Sequence, residues 1–282
     1  MNVFIPILAA VLQAGSATLD KVILSVRGLT FKHYSAVSFP LYFLITFVIF
    51  LIFRPPLSIQ FFSGNLWLFI LISILMIAVT NLFYYRALDH DGLGEMQTLE
   101  LLSAIPIIIA SSIIFADERK FVVLIPALIA SSVVVWSHWE HHHFKIAKKT
   151  LPFLVWALFA APIGASISKL LLVVWDPISL ELVRTGGVAL IIWPLFFKYT
   201  NKINLRSFIY LILTNFLSAV AWILFYFSYQ RSGIVYTVLL FSIQPLLVYF
   251  ASIFLLKEPV NLKKVVAFGV VLVSIAAAEL LS

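Results

Sequence analysis

The stretch YYRALDHDGLGEMQTLELLSAIP, Tyr84 to Pro106, carries Glu95, Gln97, Glu100 and Ser103 within an otherwise apolar run. On a helix, Gln97, Glu100 and Ser103 stand at spacings of three and share one side, whereas Glu95 points elsewhere. An amide, a carboxylate and a hydroxyl along one side can hold an amine or a hydroxyl-bearing solute, and the carboxylate can carry a proton. An ionised carboxylate facing lipid costs at least about 2.5 kcal/mol, so Glu100 is expected to face other helices or water. It is the proton-coupling candidate. Pro106 removes a backbone donor and frees a carbonyl near Leu102, so a helix break beside this polar side is expected. A second grouping, Tyr236, Gln244, Pro245 and Tyr249, repeats the combination of polar groups and proline late in the chain. Together, Gln97, Glu100, Ser103, Pro106, Tyr236, Gln244, Pro245 and Tyr249 form the predicted substrate-binding set.

Other reactive residue types lead nowhere comparable. His138, His141, His142 and His143 lie in a hydrophilic connector, and three consecutive histidines cannot all face one ion from a regular helix. They read as a solvated linker, and no metal is expected. There is no cysteine, which excludes thiolate ligands and Cys nucleophiles. No HExxH or comparable motif stands at membrane depth, so neither a catalytic residue nor a cofactor is predicted and the chain does not read as an enzyme.

The elements that must position these residues follow from composition. Of 282 residues, 63% are hydrophobic and 11% charged, far below the roughly 25% charge of a soluble domain. This is the composition of a multi-pass membrane protein, with the lipid bilayer as partner. The net charge of +7 sits in short segments between apolar runs, as orientation signals do, and does not indicate nucleic acid. A span needs about 20 apolar residues. Ten such runs are present, at 3–26, 35–53, 66–88, 93–115, 121–138, 151–174, 178–197, 207–230, 234–256 and 262–281. The fold class is therefore all-α integral membrane.

The second half echoes the first. GSATLDKVIL answers GASISKLLLV, LFYYRALDHDG answers LFYFSYQRSG, Pro106 answers Pro245, and Glu118 of FADERK answers Glu258 of LLKEPV. Matches in one order predict two repeats of five helices, 1–143 and 144–282. An odd number of helices per repeat inverts the second copy, and inverted repeats suit alternating access. Several charges have structural readings. Glu118 and Glu258 are expected to cap the helix that follows each, and Lys21 and Lys169 to reach the interface along their apolar stems. Glu181 and Arg184, three apart, are expected to pair near the bilayer surface.

The motifs LFYYRAL and LFYFSYQ, the turns at Gly92 and Gly233, Pro106 and Pro245, and the acidic turns ADERK and LKEPV resemble the drug/metabolite transporter superfamily, in its EamA-like branch of ten-helix carriers. The resemblance implies two EamA-like repeats around a central cavity in the cell membrane. It also implies transport, commonly export, of small organic metabolites such as amino acids. A flippase for a lipid or lipid-linked sugar is the alternative. The resemblance implies cytoplasmic termini, whereas Lys and Arg concentrate in the odd-numbered connectors, which by the positive-inside rule places both termini outside. These two expectations oppose each other.

Overall fold

The computed structural model describes residues 3–26, 29–57, 62–89, 93–137, 150–256 and 262–281, without the side chains of 93–101, 201–202, 252, 254–256 and 281. Every regular element among these residues is helical: α1 (Phe4–Leu24), α2 (Phe31–Phe53), α3 (Leu66–Leu88), α4 (Leu93–Ile114), α5 (Phe121–Ser137), α6 (Leu151–Leu172), α7 (Pro177–Phe196), α8 (Leu205–Ser232), α9 (Ile234–Phe241), α10 (Gln244–Leu256) and α11 (Leu262–Leu281). Short 3₁₀ turns follow α4 and α7. Among the described residues, seven spans are long and apolar enough to cross a bilayer, since about 20 residues at 1.5 Å each reach roughly 30 Å.

The boundaries have local causes. Asp176 accepts from the Ile178 N–H at 2.8 Å, with Pro177 in the first turn of α7, where its missing donor costs nothing. Asn204 accepts from the Ser207 N–H at 2.8 Å and opens α8. The Thr30 N–H donates to His33 Nδ1 at 3.2 Å at the start of α2. Gly233 separates α8 from α9 at φ 88°, a left-handed conformation that favours glycine.

The two prolines of the predicted site behave differently. The ninth apolar run divides into α9 and α10 at Ser242–Ile243, directly before Gln244 and Pro245. Pro245 has no N–H to return to the Phe241 carbonyl, and its ring crowds that group. Pro106, by contrast, lies inside an uninterrupted α4. The break expected there is absent, because the helix on either side of Pro106 is retained despite the lost hydrogen bond.

Large apolar side chains cover much of the surface. Leu44, Val48, Ile52, Phe159, Leu190 and Val273 are exposed, as lipid-facing positions should be, whereas α1 buries Ala9, Ala10, Ala14, Ser16 and Ala17. Small residues let helix backbones approach closely. Helix α1 packs on α8, α9 and α10, α2 on α7 and α8, α3 on α6 and α7, α4 on α5, α6, α9 and α10, and α5 on α9 and α11.

Helix α7 meets α3 most tightly at Gly187, where an added Cβ would stand 2.6 Å from Ile74 Cδ1 and 2.8 Å from its Cγ2. The stiff β-branched side chain cannot simply swing away. Gly187→Val is expected to cost about 1–3 kcal/mol through overpacking. Gly164→Ala is the control, since its nearest neighbour would be Met76 Cε at 3.9 Å. Thermal midpoints in detergent should separate the two, and a Gly187→Val protein as stable as the Gly164→Ala protein would contradict the tight contact.

Candidate functional site

Two polar clusters are buried between the first and second halves of the chain. The first is centred on α7, where Glu181 and Arg184 are 4% and 1% exposed. They do not pair with each other: among the described residues, the ion pairs are those of Lys169. Tyr42 Oη of α2 donates to Glu181 Oε1 at 2.7 Å. Arg184 donates from Nε to Ser73 Oγ of α3 at 3.2 Å and from Nη2 to Ser168 Oγ of α6 at 3.1 Å. Its guanidinium carbon lies 5.2 Å from the centre of the Tyr226 ring of α8, a cation–π arrangement. The surface pair expected from sequence is therefore an interior site, drawn in because α7 is walled by α2, α3 and α8.

The second cluster surrounds Asp20 of α1, 4% exposed. Tyr34 Oη donates to Asp20 Oδ1 at 2.6 Å, Thr214 Oγ1 to Oδ1 at 2.7 Å and Tyr85 Oη to Oδ2 at 3.4 Å. Ser16 Oγ stands 2.8 Å from Thr214 Oγ1 and 2.9 Å from Ser218 Oγ. All three donors to the carboxylate are neutral hydroxyls. The neighbouring Lys21 turns away and donates from Nζ to the Leu88 carbonyl at 2.8 Å. The Tyr34 and Tyr85 rings lie 4.4 Å apart.

At one end of the bundle, the halves are tied by charge. Lys169 Nζ of α6 pairs with Asp117 Oδ2 at 2.5 Å and also with Glu118 Oε1. Glu118, 5% exposed, accepts from the Ile234 N–H at 2.7 Å and from the Val235 N–H at 3.0 Å, capping α9. Anions suit helix N-termini, where unpaired N–H groups and the dipole point outward. The sequence expectation is corrected twice here: Glu118 caps α9 rather than the adjacent α5, and Lys169 is an ion-pair partner rather than a free interfacial cation. Arg119 instead donates to the Ser112 and Ile113 carbonyls at 2.7 and 2.6 Å, closing α4. The hydrogen bond from Lys169 holds the Asp117 carboxyl below the usual carboxylate range. Any stabilisation from that lowering is present above the ordinary Asp value and is lost as pH falls through the lowered one. Asp117 is largely exposed, so the effect is small.

The predicted substrate-binding residues are distributed as follows. Gln97 and Glu100 lie on α4 with their side chains not described, and His138, His141, His142, His143 and Glu258 lie outside the described residues. Ser103 is buried on the same helix, and Pro106 is half-buried. Tyr236 is buried on α9 with its hydroxyl unpartnered. Gln244 and Pro245 are buried at the start of α10. Tyr249 is also buried, with Lys264 Nζ 4.4 Å from its ring centre. Helix α4 packs on both α9 and α10, so the helices bearing the two groups adjoin.

Sequence reasoning missed the roles of Asp20, Arg184, Tyr42, Tyr34, Ser73 and Ser168. Ionisable residues within apolar runs were the available signal, because such groups are expensive in a bilayer unless they face an interior.

The model of the EamA-like transporter family matches residues 148–278, which takes in α6 through most of α11. No curated protein matches the chain. A solved structure described only as the crystal structure of a protein superposes with a TM-score of 0.74 at 14% identity, over 98% of this chain and 96% of that one. At that identity, the likeness concerns the fold alone. The family is one of transporters, not of enzymes. The family match over residues 148–278 and the membrane-helical architecture together support a membrane transporter of the drug/metabolite type.

Proposed function

We propose that the chain exports small organic metabolites such as amino acids across the cell membrane, by alternating access between inverted five-helix units at 1–143 and 144–282. The observation that carries this reading is the polar seam between the two halves. Asp20 of the first half is held by Thr214 of the second, and Arg184 of the second by Ser73 of the first. Buried charges and hydroxyls inside a membrane bundle mark solute and ion pathways by default.

The helix packing supports the inverted arrangement. Counting α9 and α10 as the ninth span and α11 as the tenth, a shift of five spans turns the α1–α8 contact into α6–α3. It turns α2–α8 into α7–α3, and α4–α6 into the contact of α9 and α10 with α1, while α2–α7 and α5–α11 map onto themselves. All of these contacts are present. With successive spans crossing in alternate directions, Asp20, Tyr34 and Tyr85 fall toward one membrane face and Glu181, Arg184 and Tyr226 toward the other. The seam thus has polar groups at both levels, as a path must.

In this reading, Gln97, Glu100, Ser103 and Pro106 face Tyr236, Gln244, Pro245 and Tyr249 across the cavity. The unpartnered Tyr236 hydroxyl and the interruption before Gln244 favour that placement, since discontinuous helices build midplane sites. The test is counterflow in proteoliposomes against a library of water-soluble metabolites, with lipid-linked sugars included. Saturable exchange of a soluble solute is expected, and activity confined to lipid substrates would replace the carrier by a flippase. Proton coupling is assigned to Glu100. Glu100→Gln is expected to flatten the pH dependence of transport between about pH 5 and 8, whereas an unchanged profile would remove Glu100 from the coupling role.

A further inference from the structure

We propose that Arg184 is the docking cation for a single carboxylate on the cargo. This rests on the transporter reading above and names the chemical class that the α7 cluster selects.

A guanidinium presents five N–H donors in a planar fork. In Arg184, Nε is turned to Ser73 and Nη2 to Ser168, while Nη1 is buried without a hydrogen-bond partner. The side chain is 1% exposed. No ion pair holds the guanidinium, because Glu181, one turn earlier on the same helix, engages Tyr42 and lies beyond ion-pair distance. A cation inside a bundle is costly, and an unsatisfied buried donor adds to the cost. Two serines from different helices and the face of Tyr226 nevertheless fix the fork in one orientation. Arg184 lies about 10 Å along α7 from its first residue, too deep for a surface anchor.

An oxyanion is the group that answers a preorganised guanidinium end, through charge-assisted hydrogen bonds. Carboxylates and phosphates share that chemistry. The open donors decide between them: with Nε and Nη2 turned to serines, Nη1 alone is left, too few donors for a phosphate or a second carboxylate. A monocarboxylate therefore fits better than a phosphate or dicarboxylate. Tyr42 holds Glu181 Oε1, so that carboxylate is itself fixed by a neutral donor rather than by the arginine.

The test uses the full-length protein in detergent, at matched ionic strength, with acetate, propionate and benzoate as probes against their primary amides. Ligand-induced shifts in thermal midpoint should show the acids binding at least tenfold more tightly than the amides. Succinate and inorganic phosphate should bind more weakly than propionate. In Arg184→Gln the preference for acids should vanish. In Arg184→Lys a weakened preference should remain, because the charge is kept and the fork is lost. Equal binding of acids and amides by the unaltered protein overturns the proposal even if every Arg184 variant fails to fold, as does an acid preference that survives in Arg184→Gln. Nanodiscs with and without phosphatidic acid form the second arm. A shift produced by phosphatidic acid and by none of the soluble acids assigns the oxyanion to lipid and overturns the carboxylate. The two proposals fail separately. Counterflow of a soluble solute without acid preference leaves transport standing and removes the Arg184 site. An Arg184-dependent acid preference without counterflow does the reverse.

Discussion

Glu118→Ala is expected to destabilise the protein by about 3–5 kcal/mol, the scale of breaking a buried ion pair by removing one partner. Three contacts disappear together: the pair with Lys169 and the hydrogen bonds from the Ile234 and Val235 N–H groups. The donors at the start of α9 are then buried without an acceptor, and Lys169 retains the exposed Asp117 and the face of Phe115. Glu118→Gln should fall between the two proteins, since its amide oxygen can still cap α9 but cannot neutralise Lys169. Thermal midpoints in detergent would check the order. The capping role is contradicted if the glutamine variant is no more stable than the alanine variant. The knot links α6, α9 and the turn after α4, so the loss should appear as looser docking of the two halves as well as lower stability. Hydrogen exchange at Ile234 and Val235 would report that locally.

Asp20→Leu should cost about 2–4 kcal/mol, because the buried Tyr34 hydroxyl loses its 2.6 Å acceptor, a loss of about 1–3 kcal/mol, and Thr214 and the half-buried Tyr85 each lose a hydrogen bond as well. Thr214 suffers less, for it keeps Ser16. Asp20→Asn retains an acceptor oxygen and should be milder. Adding Tyr34→Phe to Asp20→Leu removes the hydroxyl that has lost its short acceptor, so the double variant should be more stable than the sum of the two single losses predicts. Strict additivity would mean that the 2.6 Å contact between Tyr34 and Asp20 contributes no coupling.

The helices were legible because their causes are local. An apolar run of about 20 residues, ended by FRPPLS, FADERK or KYTNKINLR, is a span wherever it sits, and the observed boundaries follow the predicted ones within a few residues except at the start of α2, which begins at Phe31 rather than near 35. The family was legible for a related reason: paired motifs in one order survive in the chain itself, and the family match falls on the second set.

Even proline shows where local reading stops. Pro106 and Pro245 carry the same intrinsic penalty, yet α4 continues through one and the ninth span divides at the other. A lost hydrogen bond can be absorbed or can end a helix, depending on the neighbours packed around it.

Charges obey the same limit. Residue types and spacing alone determined that Glu181 and Arg184 share a helix face, that Glu118 stands before a span and that Asp20 lies in an apolar run. Tertiary structure decided that Glu181 takes Tyr42, Arg184 takes Ser73 and Ser168, Glu118 takes Lys169 and the start of α9, and Asp20 takes three hydroxyls. In a bilayer a buried polar group without a partner is costly, and the partners that satisfy these groups stand on helices that are distant in sequence and meet only when the bundle closes.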